Sequence, residues 1–98
     1  MEENGVVEQS FKLDGLWSVR IKELILRNDI LINILNKMKK GYEKARRHVS
    51  TKIRRNLIFL KIMKKSLINY TFENDLIQIK INNLSVRLGA VDLAYGAN

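Results

Sequence analysis

The sequence predicts an all-α fold. Long amphipathic helices with coiled-coil heptads are expected, as a helical hairpin or two to three helices, behind a short disordered N-terminal tail. Three observations predict this. Proline is absent from all 98 residues, so no residue imposes a helix break. Apolar residues recur in alternating steps of three and four, the repeat of a helix with one buried stripe. Alternation with period two is confined to residues 77–81 and lies inside a longer helical pattern.

Taken in order, residues 1–13 are expected to form a flexible acidic tail, with Glu2, Glu3 and Glu8 and with Gly5 inside it. Asp14 is placed to cap a helix starting near Leu16, because its carboxylate can accept from the first free backbone N–H groups. Trp17 then opens the first stripe as a packing residue. The stripe continues through Ile21, Leu24, Asn28, Leu31, Leu35, Met38, Tyr42, Ala45 and Val49. A second series runs through Ile53, Asn56, Leu60, Met63, Leu67, Tyr70, Asn74, Ile77, Ile81, Leu84, Leu88 and Val91. The two meet at Val49 and Ile53 with a second consecutive step of four, a stutter that locally unwinds a left-handed supercoil.

Two break points compete. Gly41 can end a helix, with Ser50 or Thr51 capping the next and the basic segment between them as a hairpin tip. Residues 69–75 are weak helix material, and Thr71 can cap a restart. Helices are expected near 14–40, 50–70 and 73–91, the last two able to fuse. An unbroken helix from 16 to 92 would span about 115 Å at 1.5 Å per residue. Gly89 is a candidate helix stop, which leaves 92–98 as a frayed C-terminal tail. The helical coiled-coil domain is thus expected over 14–91, and 98 residues suit a single small domain.

Ile58, Ile62, Phe72, Leu76, Ile79 and Val86 form a second stripe on roughly the opposite side, and Leu26 and Ile30 do the same nearer the N-terminus. Ile25, Ile32 and Ile34 widen the main stripe. A two-stranded coiled coil would keep its outer side polar, so these helices are expected to be contacted from two directions. Asn28, Asn56 and Asn74 fall in core phase, where asparagine lowers stability but can set register.

The charge is concentrated. The chain carries +8. Residues 37–65 hold twelve Lys or Arg against the single acid Glu43, a local +11, whereas residues 1–36 sum to −2 and residues 66–98 to −1. This basic centre offers a polyanion surface made of Lys39, Lys40, Lys44, Arg46, Arg47, Lys52, Arg54 and Arg55. No zinc-finger spacing, RNA-recognition signature or aromatic platform lies among those cations, so no base-reading module is expected.

Enzyme chemistry finds little to work with. There is no cysteine and one histidine, His48. Arg46, Arg47 and Lys52 surround it in sequence and would repel a metal ion. Ser50 lies two residues away, and residues two apart do not face each other on a helix. The five glycines are scattered and make no phosphate-cradling loop. No cofactor is expected. The acidic N-terminus lacks the apolar core of a signal peptide, and the nearest apolar run, 21–35, contains Lys22, Glu23, Arg27, Asp29 and Asn33. An intracellular protein, cytoplasmic or nuclear and not secreted, without a membrane span is expected.

In length, absence of proline and heptads, the chain resembles small helical subunits that co-fold in eukaryotic cytoskeletal, kinetochore or organelle-tethering complexes. The resemblance implies no role for any residue. The favoured function is a non-enzymatic scaffold or assembly subunit, homo- or hetero-oligomeric, that packs its heptad stripe against helical protein partners. The residues expected at that interface are Leu24, Leu31, Leu35, Met38, Val49, Ile53, Leu60, Met63, Leu67, Ile77, Ile81, Leu84 and Leu88. The alternative is a basic helical protein that binds nucleic acid or another polyanion, such as an acidic lipid surface or an acidic protein surface, through residues 37–65.

Overall fold

Two short reversals shape the chain. In a computed structural model that describes residues 15–97, with side chains described for 18–95, three helices follow one another: α1 (Gly15–Lys37), α2 (Glu43–Lys65) and α3 (Thr71–Ala97). No strand occurs among the described residues. The acidic tail, the Asp14 cap and the Trp17 side chain lie outside what is described.

Both expected break points are used. At the first, Gly41 adopts φ +103°, a left-handed conformation that disfavours any residue with a Cβ. The Met38 amide closes α1 on the Leu35 carbonyl at 3.2 Å. The helix then restarts earlier than expected. Tyr42 is the N-cap and makes no side-chain cap bond, while the Glu43 carboxylate accepts from the Gly41 amide at 3.1 Å. The basic segment is therefore the first turns of α2 and not a hairpin tip. Ser50 and Thr51 lie inside α2, not at its start.

The second reversal is a run of tight turns. The Ser66 amide and hydroxyl both donate to the Met63 carbonyl, at 3.1 and 2.7 Å. Asn74, in the first turn of α3, donates its side-chain amide to the Lys64 carbonyl at 2.8 Å. That bond satisfies one of the carbonyls a helix C-terminus leaves free. The restart falls at Thr71, but Thr71 is the first residue of α3 and not its cap: the Tyr70 carbonyl accepts the first helical bond, from the Asn74 amide at 2.9 Å.

The expected stop at Gly89 does not occur, and α3 continues to Ala97. Glycine inside a helix costs about 1 kcal/mol. Leu88 is buried and Val91 packs against the core on either side of it. Asp92 and Tyr95, one turn further on, are held by contacts to α2. Those interactions offset the glycine, so residues 92–97 are helical.

Each helix packs against the other two. The bundle measures 45 × 28 × 20 Å, far from the rod an unbroken helix would make. Its core takes Ile21, Ile25, Ile32 and Leu35 from α1, Ile53, Leu57, Leu60 and Met63 from α2, Leu67 from the connection, and Ile77, Ile81, Leu84 and Leu88 from α3. Leu24, Leu31, Met38 and Val49 are partly buried against this cluster. All thirteen side chains expected at the heptad interface thus lie in or against the chain's own core. Four expected stripe members differ: Ile34, Tyr42, Ala45 and Tyr70 are exposed, the two tyrosines because the chain reverses there.

Polar ties also cross the bundle. Asn28 is fully buried and accepts from the Asn56 amide at 2.9 Å, while its own Nδ2 has no hydrogen-bond partner. Arg87 of α3 pairs with Asp29 of α1 and also donates to Asn33 Oδ1 at 3.3 Å.

Candidate functional site

The core takes one side of each helix, and the functional candidates are what remains outside. On α2, positions 44, 47, 48, 51, 52 and 55 are separated by steps of three, four and seven and share one face. Lys44, Arg47, His48, Thr51, Lys52 and Arg55 line an open groove there, with no acid among them. Four of the eight residues expected to bind a polyanion are brought together in this groove.

The other four are not. Lys39 and Lys40 are exposed in the α1–α2 connection. Arg54 is exposed, but its guanidinium is paired with Asp92 Oδ2 at 3.0 Å. Arg46 is buried, which corrects its assignment to the cationic surface. It donates to the Leu35 carbonyl at 3.1 Å, the Val91 carbonyl at 3.2 Å and Asp92 Oδ1 at 2.9 Å. Its guanidinium lies 3.8 Å from the centroid of the Tyr95 ring. A planar fork with five donors suits this role, because it can serve two carbonyls and a carboxylate while stacking on a ring. One side chain therefore joins the C-terminal ends of α1 and α3 to the start of α2.

Glu43 and Tyr95 complete this end of the bundle. The Tyr95 hydroxyl donates to Glu43 Oε2 at 3.3 Å. Backbone N–H groups of Glu43 and Gly41 hold the Glu43 carboxyl below the ordinary carboxylate range. Burial, with the Glu43 charge behind it, pushes the Tyr95 hydroxyl above the ordinary phenol range. Two anchored groups of this kind stabilise a helix junction.

No protein-family model, curated protein or solved structure matches this chain.

The second surface is apolar. Ile58, Phe59 and Ile62 on α2 are all more than half exposed, as are Phe72, Ile79, Val86 and Leu93 on α3. Leu26, Ile30 and Ile34 on α1 join them. Of the expected outer stripe, only Leu76 is half-buried. More large apolar side chains are exposed than are buried in the core, among the described residues. Single exposed leucines are ordinary, whereas apolar residues recurring along a helix face mark an interaction surface.

Sequence reasoning missed Val19, Phe59, Ile68 and Leu93 among the exposed apolar residues and Leu57 and Arg46 in the core. Leu93 had a signal: it lies seven residues after Val86, which lies seven after Ile79. The expected stop at Gly89 hid it. No described helix is long and apolar enough to cross a membrane.

Proposed function

We propose that this chain is a non-enzymatic helical assembly subunit, a self-packed three-helix bundle that offers its outer apolar faces to partner helices. The inner heptad stripe is occupied within the chain, so the contact surface moves to the outer one. The observation that carries this reading is α3. It buries Ile77, Ile81, Leu84 and Leu88 on one side and exposes Phe72, Ile79, Val86 and Leu93 on the other. A helix apolar on both sides is buried on both sides in its working state.

The test is the size of the native assembly. In a gentle extract of the source cell, the chain should migrate in a complex well above 11.4 kDa. Ile79→Asp with Val86→Asp should release it from that complex. Migration as the bare chain would end this reading.

The groove of Lys44, Arg47, Lys52 and Arg55 favours a second reading, polyanion binding. Each phosphate contact steepens the fall of affinity with salt. Arg47→Gln, Lys52→Gln and Arg55→Gln together should flatten that slope by about three. A wild-type chain that ignores duplex DNA and RNA at low salt would remove the idea.

A further inference from the structure

The outward side of α3 can pair with itself. Phe72, Ile79, Val86 and Leu93 recur every seventh residue and are exposed. Leu76, Asn83 and Ala90 fill the alternate positions, so the steps are four and three throughout. This is a complete outer heptad seam running almost the length of the helix.

Charge decides what can cover it. The outward faces of α1 and α2 carry cations, and the chain totals +8. On α3, the exposed residues between Ile79 and Leu93 are Asn82, Asn83, Ser85, Val86, Gly89 and Ala90, none of them charged. The two cations in this stretch, Lys80 and Arg87, are half-buried, and Arg87 is paired with Asp29 of α1. Two copies of a strongly basic protein repel wherever like charges meet. The α3 seam is a long face on which they do not.

Register and direction follow. Laying α3 antiparallel on a second α3 in the seam register nearest full overlap puts the two-fold axis between Leu84 and Ser85. Leu76 then meets Leu93 of the second copy, Ile79 meets Ala90, and Val86 meets Asn83. Gly89 has nothing within 4 Å of where a Cβ would stand, which leaves room for close approach. The two Asn83 amides lie on either side of the axis, where a polar residue can fix register. The cationic start of α2 lies beside the C-terminal end of α3, through Arg46 and Asp92. An antiparallel pair puts those Arg46–Asp92 ends about 22 Å apart along the pair, nearly three Debye lengths at physiological salt. A parallel pair would place them side by side.

We infer that α3 forms the seam of an antiparallel homodimer, Phe72, Ile79, Val86 and Leu93 of one copy packing along the same face of a second. This rests on the reading of the chain as an assembly subunit and names its first partner.

The experiment uses the purified full chain. Light scattering after size exclusion should give twice 11.4 kDa. Ile79→Asp with Val86→Asp should raise the dimer dissociation constant more than tenfold while leaving the helical circular dichroism signal unchanged. The chain has no cysteine, so single thiols report position cleanly. Asn83→Cys should cross-link into dimers with a short bis-maleimide. Phe72→Cys should not, because its thiols would be about 37 Å apart along the pair.

A monomer at all concentrations overturns the inference. So does a dimer indifferent to Ile79→Asp and Val86→Asp, or preferential cross-linking of Phe72→Cys, which marks a parallel pair. A purified monomer whose native complex still depends on Val86 assigns the seam to a foreign helix. That outcome overturns the homodimer and leaves the assembly role standing. A purified dimer that is also the entire native species does the reverse.

Discussion

Arg46 Nη2 donates to Asp92 Oδ1 at 2.9 Å, across forty-six positions of sequence. Asp92 accepts from a second arginine as well, Arg54 at 3.0 Å. The two ion pairs share a carboxylate but differ in surroundings. The Arg46 side chain is 9% exposed and that of Arg54 56%.

That difference separates two substitutions. Arg46→Ala removes a buried guanidinium and leaves two carbonyls and a carboxylate short of a donor. It should lower unfolding free energy by about 2–3 kcal/mol. Arg54→Ala breaks a solvent-screened pair and should cost no more than about 0.5 kcal/mol. Urea titrations followed by circular dichroism measure both, and equal losses would refute this account of the junction.

The Asn28–Asn56 pair satisfies one buried amide hydrogen bond and leaves Asn28 Nδ2 without an acceptor. Replacing both residues by leucine removes the unmet donor and adds apolar packing. The double variant Asn28→Leu/Asn56→Leu should be more stable by about 1–2 kcal/mol. The single variant Asn56→Leu should be destabilised, because it strips Asn28 of its partner. Thermal melts of the three proteins order them.

The glycines at 41 and 89 should respond in opposite directions. Both have open space around the missing Cβ, so crowding decides neither. Gly41 has φ +103°, and alanine there should cost about 1–2 kcal/mol. Gly89 is an exposed interior helix position, and alanine there should gain about 1 kcal/mol. Denaturation midpoints moving the same way would contradict these assignments.

Glu43 gives the fold an acid sensitivity. Backbone amides, first its own and then that of Gly41, hold its carboxyl below the ordinary range. A depressed folded pKa contributes stability that is present above the unfolded pKa and lost as pH falls through the folded value. Glu43→Gln should therefore flatten the acid limb of stability against pH. Urea midpoints from neutral pH down to about pH 2 read that limb, and an unchanged slope would exclude Glu43 as a contributor.

Much of the core was legible before any coordinates. Ile21, Leu35, Ile53, Leu60, Ile77, Ile81 and Leu88 lie in helical phase, and burial on one side of a helix leaves that periodic trace. The outer apolar stripe was legible for the same reason. Arg46 was not. Nothing local distinguishes it from Arg47, because its partners Leu35, Val91 and Asp92 are distant in sequence. The start of α2 was missed because Glu43 and Tyr42 begin it without a serine or threonine cap, so the usual signal pointed seven residues too late.

From the amino acids in order came the helices, the two weak points between them and the positions that prefer to leave water. Which surface covers which was decided only in three dimensions. A stripe that repeats every three or four residues is the same whether a neighbour or the chain itself lies against it. Reversals of five residues, at 38–42 and 66–70, bring successive helices back antiparallel and adjacent, so the inner stripe closes on itself. What remains facing outward, above all along α3, is the surface free to meet another molecule.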